Sequence, residues 1–99
     1  KREDVWDKVS EEFGEVKEAC SEKDGDHVEE EFGDLLFAVI NAARLYGVDP
    51  EKALGRTCGK FRRRFNYVEA AAGARGRGLA GMTLAEMDAL WDEAKSRGL

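Results

Sequence analysis

Two pairs of carboxylates carry the chemistry this sequence could perform. Glu12 and Glu15 form the first pair and Glu31 and Asp34 the second, each at i, i+3 spacing. Wound as a helix at about 100° per residue, residues 4–20 place Val5, Val9, Phe13, Val16, Ala19 and Cys20 on one apolar arc. Glu12 lies inside that arc and Glu15 at its edge, whereas Glu11 points more toward solvent. A carboxylate facing a core is costly unless a positive charge compensates it. On the next helix, Glu31 and Asp34 share a strip with Ala38, Asn41 and Leu45, which predicts that this strip faces protein or a closed cavity. Four carboxylates meeting there cannot all stay ionised without a cation. Oxygen ligands with no imidazole among them favour Mg²⁺, or Mn²⁺, over zinc. Glu3, Asp7, Glu18, Glu22 and Glu29 read as solvated surface acids.

Basic residues supply a second constellation. Lys60 and Arg64 are i, i+4 on a later helix, and Arg64 enters its apolar arc. Such a pair at the edge of a core suits phosphate oxygens, or else a structural salt bridge to the acids. Trp91 and Lys95 repeat the spacing on the last helix. That Trp is either a core residue or a platform for a base, with the Lys meeting a phosphate. Arg62 and Arg63 read as solvated, Trp6 as core or interface, and Met82 and Met87 as packing residues.

Four helices must position these groups. The first runs from about Asp4 to Cys20 and ends at the polar stretch Glu22–Asp26. The second runs from about His27 to Tyr46, with Gly47 as its stop. Its segment Leu35–Ile40 is apolar nearly all round, so this helix is predicted to be central and buried. Asp49 and Pro50 cap and start the third, which continues to about Ala72 with Leu54, Cys58, Phe61, Phe65 and Val68 as its stripe. Residues 73–81, with four Gly and two Arg, read as a flexible loop. Thr83 and Glu86 fit a capping box that opens the fourth helix, which ends near Arg97 and Gly98. No strand pattern or repeat is present, so the fold class is all-α, one domain over residues 1–99.

Composition narrows the function classes. With 42% apolar and 37% charged residues, the 99-residue chain fits a soluble, helix-rich protein. No apolar run approaches the roughly 20 residues of a membrane span, and no signal peptide is visible, which predicts a cytoplasmic protein without a membrane partner. Cys20 and Cys58 lie on apolar helix faces and read as reduced core thiols. Net charge is −5, but residues 1–34 hold 14 acids against 5 bases, and residues 51–78 hold 8 bases against 2 acids. An acidic half and a basic half suit a metal and a polyanionic substrate held between them. The overall acidity argues against a nucleic acid polymer as partner.

The order Glu11-Glu12-x-x-Glu15 followed by Glu31-x-x-Asp34 resembles the EExxE…ExxD signature of the all-α nucleoside triphosphate pyrophosphohydrolases. Glu29–Leu54, Lys60–Glu69 and Thr83–Lys95 resemble the C-terminal catalytic domain of the MazG family. The likeness implies a four-helix MazG-like domain that completes its bundle in a homodimer or a higher oligomer. It implies Mg²⁺-dependent cleavage of nucleoside triphosphates to monophosphate and pyrophosphate, in the house-cleaning of nucleotide pools. It implies metal ligation by Glu12, Glu15, Glu31 and Asp34, with Glu11 and Glu30 in support. Glu12, Glu15, Lys60 and Arg64 would act in catalysis. Lys60, Arg64, Trp91 and Lys95 would hold the substrate, with Asn41 near the metal or the sugar.

Two departures stand out. MazG-like domains carry a helix before the EExxE helix, and this chain opens on Lys-Arg-Glu instead, so a longer parent protein is expected. The Gly-rich segment 73–81 has no firm counterpart. The rival readings are a narrow-specificity dUTPase-like or phosphoribosyl-ATP pyrophosphohydrolase, and a non-catalytic nucleotide-binding module. A di-iron bundle also turns Glu inward, but it needs Glu-x-x-His pairs, and residues 15, 18, 34 and 37 provide none.

Overall fold

The computed structural model describes all 99 residues and contains only helices. Four are long: α1 (Val5–Ser21), α2 (Gly25–Leu45), α3 (Pro50–Ala74) and α4 (Leu84–Ser96). Short 3₁₀ turns at Arg2–Asp4 and Leu79–Gly81 precede α1 and α4. The all-α, four-helix reading therefore holds. The chain forms two compact units, Lys1–Ala53 and Leu54–Leu99.

In the first unit, α1 and α2 make an antiparallel hairpin. Trp6 near the start of α1 meets Tyr46 just after α2, the indole N–H donating to the phenol oxygen at 3.0 Å. Val5, Glu12, Val16 and Ala19 of α1 are buried, as are Ala38 and Ala42 of α2. These residues recur at three- and four-residue intervals, so each helix presents one stripe. Alanines on α2 let the two backbones approach closely. Asp24 caps α2, its side chain accepting from the N–H of Asp26 (3.1 Å) and of His27 (3.4 Å). The cap starts α2 at Gly25, two residues earlier than the periodicity predicts. Gly47, at φ +74°, leaves α2 through the left-handed conformation that favours glycine. Asp49 then accepts from the N–H of Glu51 and of Lys52 at the start of α3.

In the second unit, Val68 and Ala72 near the end of α3 pack with Met82 and with Leu90 of α4, which is 2% exposed. Ala71, Leu79, Met87 and Trp91 lie against this cluster. Residues 73–81 are more ordered than a flexible loop. Gly73 and Ala74 finish α3, Leu79–Gly81 form a turn, and Arg77 bonds to the Gly81 carbonyl and to the Glu86 carboxylate. Thr83 Oγ1 accepts from the Glu86 N–H and the Glu86 carboxylate accepts from the Thr83 N–H, both at 3.1 Å. This is the capping box the sequence predicts.

Three expectations fail. First, α2 is not a buried helix: Phe37 is 75% exposed, Leu36 60%, and Phe32, Val39, Ile40 and Leu45 are also exposed. Within its unit only α1 packs on it, and α1 covers one stripe. Second, Cys20 and Cys58 are exposed rather than core thiols. Val16 and Ala19 face α2 and Cys20 is turned off that stripe, while the core of the second unit begins only at Val68. Third, Phe13 is exposed, because the buried arc of α1 centres on Glu12 and Val16, and Leu54, Phe61 and Phe65 of the predicted α3 stripe are exposed too, because α3 buries only Val68 and Ala72.

The capping box gives a pH-dependent prediction. The Thr83 N–H, and then the Arg77 guanidinium, hold the Glu86 carboxyl below the usual carboxylate range. A lowered folded-state pKa stabilises the fold above the ordinary value, and the gain is lost as pH falls through the lowered value. The Glu86 carboxylate should titrate by NMR below the ordinary carboxylate range, and Arg77→Ala should move it up toward that range. A Glu86 that titrates within the ordinary range in the wild type would contradict this.

Candidate metal centre

Glu12 is the polar residue the hairpin buries, at 9% exposure. It sits mid-seam because residues 5, 9, 12, 16 and 19 of α1 share one phase. From α2, Glu31 comes off the same stripe as Ala38 and Ala42, and Asp34 comes off its flank. One carboxylate oxygen from each of Glu12, Glu31 and Asp34 lies within 4.8 Å of the other two. Glu12 is buried, Glu31 partly buried and Asp34 exposed, so the cluster opens to solvent on the Asp34 side.

Like charges this close repel, and the hairpin answers with a donor from each helix. Lys8 Nζ lies 2.9 Å from Glu12 Oε1, one turn earlier on α1, and 3.6 Å from Glu11 Oε1. Its hydrogen bond to Glu12, then the charge of Glu11, hold the Lys8 ammonium above its usual pKa. On α2, His27 Nε2 lies 3.3 Å from Glu31 Oε1, also one turn earlier, and Nδ1 lies 2.8 Å from Glu22 Oε2. The Glu22 hydrogen bond raises the pKa of His27. Lys8, Glu22 and His27 were absent from the sequence-predicted site. The signal for two of them was present, since Lys8 and His27 each stand four residues before an inward acid.

The remaining predicted residues fall into two groups. Glu15 is exposed and lies outside the trio, one turn beyond Glu12. Glu11, Glu30 and Asn41 are exposed, and so is Leu45. The strip Glu31, Asp34, Ala38, Asn41, Leu45 therefore does not face protein as a whole. Its seam side is buried and its flank is open, because the true stripe runs through Glu31, Leu35, Ala38 and Ala42.

In the second unit, Lys60 and Lys95 are exposed. Arg64 is half-buried, its Nε donating to the Leu99 carbonyl at 2.8 Å and its guanidinium carbon 6.0 Å from the centre of the Trp91 ring. Trp91 packs against the core and meets Phe61 at 5.3 Å between ring centres. Neither Lys60 nor Arg64 forms an ion pair within this unit.

The donor set tests what the trio could hold. Three carboxylate oxygens, with the imidazole of His27 turned onto carboxylates, suit a hard divalent cation that favours oxygen. Three negative groups around one point also attract such an ion. Glu12, Glu31 and Asp34 fit it as they stand.

Comparison with known proteins gives a consistent picture. The MazG nucleotide pyrophosphohydrolase domain matches residues 2–69. The chain is 42% identical over 93 residues to the nucleoside triphosphate pyrophosphohydrolase/pyrophosphatase MazG of Thermotoga maritima, covering 94% of this chain and 35% of that protein. It is 43% identical over 93 residues to the nucleoside triphosphate pyrophosphohydrolase of Escherichia coli, covering 92% of this chain and 35% of that protein. It is 57% identical over 65 residues to the uncharacterized protein YabN of Bacillus subtilis, covering 66% of this chain and 13% of that protein. The chain thus spans about a third or less of the length of each relative.

Burying Glu12 should cost stability. Replacing it by an apolar residue of similar volume removes the desolvation penalty and frees Lys8 to solvent. Glu12→Leu should therefore stabilise the fold in metal-free buffer by about 1 kcal/mol or more, seen as a higher thermal midpoint. Circular dichroism melts in a chelator check this, and a clear drop in stability would refute it.

Proposed function

The chain belongs to the MazG nucleotide pyrophosphohydrolase family, and we propose that it hydrolyses nucleoside triphosphates to the monophosphate and pyrophosphate with Mg²⁺, in the house-cleaning of nucleotide pools in the cytoplasm. Mn²⁺ is the natural substitute ion. The observation that carries the reading is the trio of carboxylates with Glu12 buried at its base. A fold that accepts the cost of an inward carboxylate has a use for it. The names of the relatives from Thermotoga maritima and Escherichia coli support the reaction.

The proposal assigns a role to each residue. Glu12, Glu31 and Asp34 hold the ion, with Glu15 as a further ligand from the next turn of α1. A divalent ion held by these residues would supply Lewis-acid stabilisation of phosphate charge and activation of a water. Glu15, exposed one turn beyond Glu12, is assigned to take a proton from the attacking water at a free carboxylate oxygen. Glu11 keeps Lys8 near Glu12, and Glu30 adds negative charge beside Glu31. Lys60, Arg64 and Lys95 are assigned to phosphate oxygens, whose charge they offset as the bond breaks. Trp91 offers an aromatic face to the base, and Asn41 a hydrogen-bonding amide to the sugar.

A second copy of the chain belongs to this reading. The face of α2 turned away from α1 carries Phe32, Leu36, Phe37 and Ile40, all exposed. A contiguous apolar face of that kind marks an interaction surface. A homodimer that buries it would complete the helical bundle.

Two measurements test the reading. Incubation with each nucleoside triphosphate and Mg²⁺ should release monophosphate and pyrophosphate, and Glu12→Gln should lower turnover about a hundredfold or more with the helices intact. Diphosphate plus orthophosphate, or full activity of Glu12→Gln, would overturn it. Light scattering should find a dimer that Phe37→Glu converts to monomer; a monomeric wild type would remove the dimer from the proposal.

A further inference from the structure

The turn between α1 and α2 holds a side-chain relay that neither the metal ligation nor the phosphate contacts use. Glu22 ends α1 and its backbone N–H closes onto the Ala19 carbonyl. Asp24 caps α2 and fixes the N–H of His27 in the first turn. The imidazole is then held at both nitrogens, with Nδ1 2.8 Å from Glu22 Oε2 and Nε2 3.3 Å from Glu31 Oε1. Both neighbours are carboxylates, which only accept, so the ring donates to both at once as the imidazolium and to one of them as the neutral imidazole. Glu31 is the least exposed of the three side chains, and Glu22 the most. The relay runs from solvent inward and ends on a member of the trio.

We propose that His27 is a positioning residue for Glu31, and that Glu22 acts through His27 to set the Glu31 carboxylate for a divalent cation. The role rests on the metal reading above. A glutamate side chain has three rotatable bonds, and an unrestrained carboxylate spends part of its time turned from its neighbours. The approach of Nε2 to Oε1, at 3.3 Å, restrains the rotation of the group from one of its two oxygens. Partners of this kind, one bond removed from the ligand, govern metal affinity through orientation. Lys8 differs from His27 in this respect: it approaches Glu12 as a point charge, and its other near neighbour, Glu11, is an exposed side chain on its own helix.

Mn²⁺ binding to the whole chain, measured by calorimetry without nucleotide, tests the relay. His27→Ala and Glu22→Ala should each weaken Mn²⁺ binding about fivefold, with helix content and thermal midpoint unchanged. The double variant should be no weaker than His27→Ala alone, because Glu22 acts only through the ring. His27→Gln keeps an amide N–H for Glu31 and should stay within about twofold of wild type. Glu29→Ala removes a like charge from an exposed site, and it should leave affinity unchanged. If the single variants bind Mn²⁺ as well as wild type or better, or if their effects simply add, the positioning role is wrong while the metal reading stands. A wild-type chain that takes up no Mn²⁺ defeats the metal reading and this role together.

Discussion

The position of Glu12 constrains everything else in the first unit. The stripe that joins α1 to α2 runs through Val5, Val9, Glu12, Val16 and Ala19, so a carboxylate stands where packing alone would place an aliphatic side chain. Removing a charge from water without compensation costs more than one helix contact returns. The hairpin compensates with Lys8 at 2.9 Å and with an opening toward solvent on the Asp34 side. Glu31 and Asp34 make the electrostatics worse, since their oxygens lie within 4.8 Å of that of Glu12. A packing-driven hairpin would avoid this arrangement. It makes sense once the three groups share a cation, and the same argument explains why the rest of the seam is built from valine and alanine. Small and β-branched residues hold the helices close and stiff, so the acids meet at short range.

That economy in the seam has a consequence for α2. Alanines at 38 and 42 supply the close approach to α1 but bury little apolar area, and the larger side chains Phe32, Leu36, Phe37 and Ile40 point elsewhere. Burial of one large aliphatic or aromatic side chain is worth about 1.5–3 kcal/mol, so leaving several in water forgoes much of the stabilisation a domain of this length can gather. A helix with an acidic stripe on one side and its main apolar area on the other has faces for two neighbours. The dimer in the proposed function follows from this division of labour as much as from family likeness.

Local chemistry was the most legible part of the sequence. Asp49 with Pro50 starts a helix and Thr83 with Glu86 closes a capping box, each from neighbours within four residues, whereas the Asp24 cap passed as part of the polar break after α1. Helix existence was equally plain. What periodicity could not settle was the centre of each buried arc. Phe13 and Cys20 lie within the apolar arc of α1, yet the seam turned toward Glu12, Val16 and Ala19 because α2 presents alanines there. Likewise, total apolarity of α2 could not say which neighbour covers which face. At the site, Glu12, Glu31 and Asp34 were legible from phase and spacing, but Lys8 and His27 passed as ordinary surface charges. Their partners are on their own helices at i+4, a spacing that is common and uninformative until the acid it reaches is known to face inward.

Those two donors are not equivalent in what they do to an incoming ion. Lys8 neutralises Glu12 with a charge that a divalent cation must outcompete, and its three N–H groups can turn to any anion that arrives with the metal. Under the proposed function a triphosphate would bring such anions, and Lys8 would be free to turn from the carboxylate to a phosphate oxygen. His27 cannot make that exchange while Glu22 holds its other nitrogen. One helix therefore offers a mobile counter-charge and the other a fixed donor.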